Sequence, residues 1–258
     1  LTRLVLESLH LSAQGQPLVQ DVSLVLERGR VLGLTGQSGS GKSLTVLAML
    51  GLLPTGVKHD SGRMLHGQAV LDTAGMKALR GRVVGLVQQA PCTCFNPLLT
   101  IGRHFSETLA LAGLPRQVRT ERARKLLMEV GFESPAELLP AYSFQLSGGM
   151  LQRIMVALAL ARDPDFLLAD EPTTDLDLVV QAGILSLLER LVARRGLGLL
   201  LVTHDLSVMA RLADTVAVMD KGRIVEQQAV HGFFDAPEHP ASLALLLPHL
   251  ALYGEALP

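Results

Sequence analysis

The run Gly36-Gln37-Ser38-Gly39-Ser40-Gly41-Lys42-Ser43 has the spacing G-x-x-x-x-G-K-[ST]. Residues of these types in this order can cradle an anion. Glycines let the backbone turn successive N–H groups inward without Cβ clashes. A helix opening at the end of the run, with Leu44 in its first turn, would add free N–H groups and a positive dipole end. Lys42 would set a point charge between the outer phosphates of a nucleotide, and the Ser43 hydroxyl is a hard oxygen ligand suited to Mg²⁺. A Gly/Ser-rich turn that merely contains Gly-Lys-Ser is the plainer reading. The apolar run Val31-Leu32-Gly33-Leu34-Thr35 before the loop and the helix-like run after it favour the cradle.

Three further polar groups follow apolar runs directly: Gln89 after Val87, Asp170-Glu171 after Ala169, and His204 after Val202. Phosphoryl transfer to water calls for charge clamps, a metal ion and a group that orients or deprotonates the water. Asp170 would hold Mg²⁺ through water, with Ser43 and Gln89 as its other protein contacts. Glu171 would act as general base, Gln89 would touch metal and water, and His204 would donate to the γ-phosphate. Singly, each has a bland reading as a strand-ending acid, a loop amide or a structural histidine. Ser147-Gly148-Gly149 is different in kind, because it caps and opens a helix and so makes a second anion-binding N-terminus. One γ-phosphate does not need two cradles from one chain. Two chains arranged head to tail would each offer this helix start to the nucleotide held by the other, and an ordinary capped helix is the alternative.

These groups need a scaffold that gathers strand ends. The runs at 31–35, 83–87, 166–169, 199–202 and 215–219 are apolar without alternation, as strands covered on both faces are. Helical patterns lie between them, notably residues 101–111, 119–130, 149–161 and 180–195. In such sheets ligands bind beyond the carboxyl ends of the strands. Short strands at 4–6 and 22–26, linked by the turn-prone Gln14-Gly15-Gln16-Pro17, are expected to form an antiparallel ribbon that could wall a nucleotide base; residues 62–72 add a small strand-and-turn region. Residues 92–163 read as a helical insertion.

With 258 residues the chain can bury a large core as one domain or two closely joined ones. A net charge of −1 without a basic run argues against a nucleic-acid partner. No apolar segment reaches the length of a membrane span, so a hydrophobic content of 48% suggests surface buried against partners. Two cysteines, Cys92 and Cys94, cannot staple the fold and suit a reducing compartment. Their Cys-x-Cys spacing lacks further ligands nearby, which favours a simple loop over a soft-metal site. His231, His239 and His249 lack the spacing of a helical metal pair and read as surface histidines. No secretory leader is legible at the start of the sequence.

Residues 36–43, Gln89, 146–153, 167–173, Thr174-Asp175-Leu176-Asp177 and His204 resemble the Walker A, Q-loop, signature, Walker B, D-loop and switch-histidine motifs of ABC transporter ATPases. The resemblance spans nearly the whole chain. It implies an α/β fold: a RecA-like P-loop NTPase core with an N-terminal antiparallel β-subdomain (together residues 1–91 and 164–258) and an inserted α-helical subdomain (92–163). It also implies ATP and Mg²⁺ as cofactors. As partners it implies a second, non-identical ATPase subunit or a second copy of this chain, closing head to tail on two ATP molecules. A groove near Gln89 would receive a coupling helix from one of two membrane permease subunits, with an external substrate-binding protein acting indirectly. The chain would then sit peripherally on the cytoplasmic face of the inner membrane. Cys92-Thr93-Cys94-Phe95-Asn96-Pro97 and Glu238-His239-Pro240-Ala241-Ser242-Leu243 resemble elements of the oligopeptide/nickel-type importers. Residues 200–214 and the tail His249-Leu250-Ala251-Leu252-Tyr253-Gly254 are similar to the nickel branch, which implies nickel as cargo. A dipeptide or oligopeptide importer is the alternative, since none of these residues touches cargo. A soluble ABC ATPase acting on nucleic acid or ribosomes is the alternative of another class, and it would be expected to carry tandem cassettes, coiled coils or basic inserts. Two departures stand out: no aromatic occupies the usual adenine-stacking position, and Met150 replaces a common Gln.

Overall fold

The structure, a computed structural model, describes residues 2–174 and 176–253. It begins with two long antiparallel strands, β1 (Arg3–Ala13) and β2 (Gln16–Glu27), joined by a tight turn with Gln14 and Gly15 both at positive φ. Both strands outrun the short segments expected from the sequence, and each carries a kink that hides its alternation. Leu4 and Leu6 are buried, Ser8 takes φ 45°, and Leu9 and Leu11 are buried next. On β2 the same slip occurs at Asp21 (φ 53°), between buried Val19 and Val22. Such bulges shift the period-two pattern by one residue, so the apolar face is continuous in space but broken in sequence. β4 (Val57–His66) pairs antiparallel with β1, and β5 (Ala69–Leu71) with β4, so the expected ribbon becomes a four-stranded sheet of order β2-β1-β4-β5.

The second sheet is built from β3 (Val31–Thr35), β6 (Val84–Val87), β7 (Phe166–Asp170), β8 (Gly198–Val202), β9 (Thr215–Asp220) and β10 (Arg223–Ala229), in the order β10-β9-β3-β8-β7-β6. All its pairings are parallel except the β9–β10 hairpin at the edge. Crossovers are made by α1 (Lys42–Met49), α2 (Thr73–Leu79), α3 (Pro91–Cys94), α4 (Ile101–Leu111), α5 (Arg116–Glu129), α6 (Pro135–Leu138), α7 (Gly148–Ala159), α8 (Leu178–Arg195) and α9 (Leu206–Leu212); α10 (Val230–Asp235) and α11 (Pro240–Tyr253) complete the order. Helices α3 to α7 all fall between β6 and β7. The Cys-x-Cys pair lies on the one-turn helix α3 rather than in a loop, with Cys94 Sγ donating to Gln88 Oε1 at 3.2 Å.

Alternate residues of the second sheet enter two different cores, which is why its strands read as unbroken apolar runs. Leu32, Leu34, Leu168, Leu200 and Val202 face α1 and the antiparallel sheet. Val31, Leu167, Ala169, Leu199 and Leu201 face the helical side, in a cluster that continues through Met155 and Ile154 of α7 to Phe105 of α4 and Leu126 of α5. The stripe Ile184, Leu187, Leu188 and Leu191 of α8 is buried in this second core, and Gly196 (φ 62°) ends that helix in the left-handed region. A network of ion pairs ties α5 to α8: Arg195 pairs with Glu129, and both Arg195 and Arg122 reach Asp163.

Candidate active site

β3, β6, β7 and β8 end on the same edge of the parallel sheet, and a cleft of about 660 Å³ opens there. It is lined by Gly36, Gln37, Ser38, Gly39, Gly41, Lys42, Ser43 and Leu44, together with Gln89, Asp170, Glu171, His204 and Leu245. Residues far apart in sequence meet because each stands just past the carboxyl end of a strand or on the helix that follows.

The loop between β3 and α1 has little room for side chains. A Cβ on Gly36 (φ 145°) would fall 2.0 Å from the Met219 carbonyl oxygen, and one on Gly41 (φ 108°) 2.8 Å from Met219 Cε. β9 thus presses on the loop from behind, and Val19 of β2 does the same, 3.1 Å from a Cβ on Gly41. The β1–β2 ribbon therefore supports the loop from behind, and none of its residues is among those lining the cleft. Ser40 is buried and its hydroxyl turns inward, 3.5 Å from Lys42 Nζ, so it belongs to the loop but not to the lining. Lys42 Nζ donates to the carbonyls of Gly36 (2.7 Å) and Gln37 (2.9 Å). Burial pushes this ammonium below its ordinary value, while Glu171 and Asp170 pull it back up.

Across the loop, burial pushes the Asp170 carboxyl above the usual carboxylate value, against a Ser43 hydrogen bond that lowers it; Glu171 raises it further and Lys42 opposes. Asp170 Oδ1 is buried without a protein partner. An orphaned carboxylate oxygen beside a hydroxyl and within the field of a lysine is a donor set that fits a small hard cation. Glu171 sits at φ 49°, a conformation non-glycine residues seldom adopt, secured by its N–H donating to Val202 O at 2.9 Å. Thr174 Oγ1 donates to Glu171 Oε2 (2.9 Å), and His204 Nδ1 donates to Oε1 (2.8 Å). With the carboxylate as acceptor, His204 carries its proton on Nδ1 and leaves Nε2 facing outward on a side chain that is 67% exposed.

Ser147 caps α7, accepting from Met150 N at 3.3 Å, with Gly148 and Gly149 opening the helix. These three residues do not line the cleft. Gly149 is where α7 meets α8, since a Cβ there would fall 2.4 Å from Val180 Cγ1. Asp175 and Gly254 lie outside the described residues, as do the side chains from His249 onward. Sequence reasoning missed Leu245 of α11, an apolar residue in an apolar helix with nothing to mark it, and placed Thr174 in a motif without its contact to Glu171, which depends on a turn.

A glycine loop at a strand–helix junction, closed by an acid pair and a histidine on one parallel-sheet edge, defines a P-loop nucleoside triphosphatase. The comparisons narrow this further: the chain belongs to the ABC transporter family, whose model matches residues 19–174. It is 52% identical to the nickel import ATP-binding protein NikD of Rhodospirillum rubrum over 95% of this chain and 92% of that relative. It is 46% identical to NikD of Pseudomonas putida, covering 96% of each. Its fold matches that of cbiO1 from Clostridium perfringens, part of the ABC transporter complex cbiONQ, with a TM-score of 0.80, 27% identity and 98% of each chain covered. The fold is thus a P-loop NTPase core with an antiparallel N-terminal sheet and a helical subdomain, and the chain binds and hydrolyses ATP.

Proposed function

We propose that this chain is the ATP-hydrolysing subunit that energises import of nickel across a membrane. Identity of 46–52% to nickel import ATP-binding proteins, across at least 95% of this chain, supports the cargo. The juxtaposition of Glu171 and His204 over the glycine loop supports the chemistry. In this reading the loop N–H groups of residues 36–41 and the start of α1 hold the triphosphate, and Leu44 closes the first turn beneath it. Lys42 exchanges its bonds to the Gly36 and Gln37 carbonyls for phosphate oxygens. Ser43, Asp170 and Gln89 are the residues that would hold Mg²⁺, which when bound neutralises charge on the outer phosphates. Glu171 takes a proton from the attacking water, held at the right angle by Thr174 and His204. With Nδ1 donating to Glu171, His204 can also donate from Nε2 to the γ-phosphate when both ring nitrogens carry protons. Ser147, Gly148 and Gly149 complete the site on another subunit, either a non-identical ATPase or a second copy of this chain.

Residues 92–163 then act as the helical subdomain and the remainder as the core. Among the described residues no helix is long and apolar enough to cross a membrane. Leu98 (82% exposed) and the stacked pair Tyr142–Phe144 give the helical segment an apolar surface that suits docking on a permease at the inner face of the membrane. The importer would comprise two permeases, this subunit with its partner ATPase, and an external binding protein.

Nickel uptake in cells lacking this subunit tests the reading. Wild-type chain restores uptake, and Glu171→Gln does not, although it still binds ATP. Restored peptide uptake without nickel uptake overturns the cargo; restoration by Glu171→Gln overturns the role of the carboxylate.

A further inference from the structure

Helix α11 reaches the nucleotide cleft by way of Leu245, and a buried carboxylate fixes where that helix starts. Glu226 of β10 is only 8% exposed. It accepts hydrogen bonds from Gln228 Nε2 (2.5 Å), Glu238 N (3.0 Å), His239 N (2.8 Å) and Ser242 Oγ (2.5 Å). Burial alone would push this carboxyl up, but the bonds from Ser242, Glu238, His239 and Gln228 outweigh it and hold the group below its ordinary value. His239 Nδ1 accepts in turn from Ala241 N at 3.1 Å, so the entry into α11 is tied on both sides.

Ser242, Leu245 and Leu246 stand at i, i+3 and i+4, on one face of the helix. Ser242 is fully buried and Leu246 is 2% exposed within the helical-side core. The carboxylate clasp sets the position of α11 along its axis, and the buried leucine sets its roll. Between them Leu245 is left facing the cleft beside the glycine loop.

We propose that Leu245 forms an apolar wall of the ATP site and that Glu226 is its positioning residue, acting through the Ser242 end of α11. The inference rests on the ATP-site reading above. A leucine makes no hydrogen bond to a triphosphate. Its contribution is to keep water from one side of the cleft, which lowers the local dielectric and strengthens the attraction of Lys42 for phosphate oxygens.

Calorimetric titration of the full chain with ATP tests this. Losing the leucine contact with ligand in Leu245→Ala weakens ATP binding roughly fivefold. Glu226→Gln weakens binding to a similar degree in the native background but adds nothing in the Leu245→Ala background, because its effect passes through the leucine. Ser242→Ala, a milder break of the clasp, shows the same non-additivity if Glu226→Gln fails to fold. Leu247→Ala, on an exposed position of the same helix, leaves affinity unchanged. Native affinity in Leu245→Ala, or losses that simply add in the double variant, overturn the inference. Lys42→Ala separates the two levels: if it abolishes binding while Leu245→Ala keeps native affinity, only the wall is lost, and if Lys42→Ala binds ATP normally the site itself is misassigned.

Discussion

Glu171 owes its orientation to neighbours of different kinds. The backbone is held at positive φ by a bond to β8, one carboxylate oxygen is held by Thr174 and the other by His204. In the proposed role of general base, Glu171 must lie within hydrogen-bond reach of the proton it takes, so a partner that fixes its angle acts on the rate. Thr174→Val keeps the shape and deletes the donor. We expect turnover to fall about tenfold, equivalent to about 1.4 kcal/mol on the barrier, with ATP affinity unchanged. A steady-state ATPase assay alongside an ATP titration checks this, and an equal fall in affinity would mean that Thr174 serves binding instead. Asp170 shows the other side of the same design. Its carboxyl is kept above the usual range by burial, and one oxygen is left without a protein partner.

At the scale of elements, the molecule depends on a few places where one segment is locked to another. β9 lies so close behind the glycine loop that only glycine fits at Gly36, which couples loop shape to sheet position. α7 and α8 approach at Gly149 for the same reason. The link from β10 to α11 is polar and therefore sensitive to pH. Because Glu226 has a folded value below its ordinary one, its contribution to stability is present above the unfolded value of about 4.5 and is lost as pH falls through the folded value. Glu226→Gln should therefore melt below wild type near about pH 6, and the gap should close as pH drops below about 4. Thermal melts across that range decide it; a gap that persists in acid would assign the stabilisation to packing and not to charge.

For the whole molecule, the placement of Ser147 is the informative fact. The Ser147-capped start of α7 is well formed, yet it lies outside the cleft that holds Lys42. If the site is completed by another subunit, hydrolysis must depend on association. Specific ATPase activity of the purified chain should rise with protein concentration, and Ser147→Ala should lower the plateau several-fold without altering the affinity of Lys42's own site. Activity independent of both would mean that one chain suffices. The ion pairs of Arg195 with Glu129 and Asp163 join α5 and the α7–β7 connection to α8, so a shift of the helical segment on association would be carried to the core through α8.

Residues 36–43, Gln89, Asp170, Glu171 and His204 were legible before any fold was known, because glycines, a lysine, acids and a histidine each follow an apolar run and their chemistry is local. The parallel sheet was legible for a related reason: strands buried on both faces leave unbroken apolar stretches. The antiparallel sheet was only half visible, since the kinks at Ser8 and Asp21 shift the alternation that marks a half-buried strand. Leu245 was not visible at all, and Thr174, Glu238, His239 and Ser242 were legible only as members of motifs, without their contacts to Glu171 and Glu226. Their roles come from what lies across from them in space, and a leucine or a surface-type glutamate carries no sign of its opposite neighbour. The amino-acid order by itself determined which groups could bind and cleave a triphosphate. Tertiary packing alone decided which of them share a cleft, because proximity between residues 36 and 245 arises from the sheet that separates them in sequence and joins them in space.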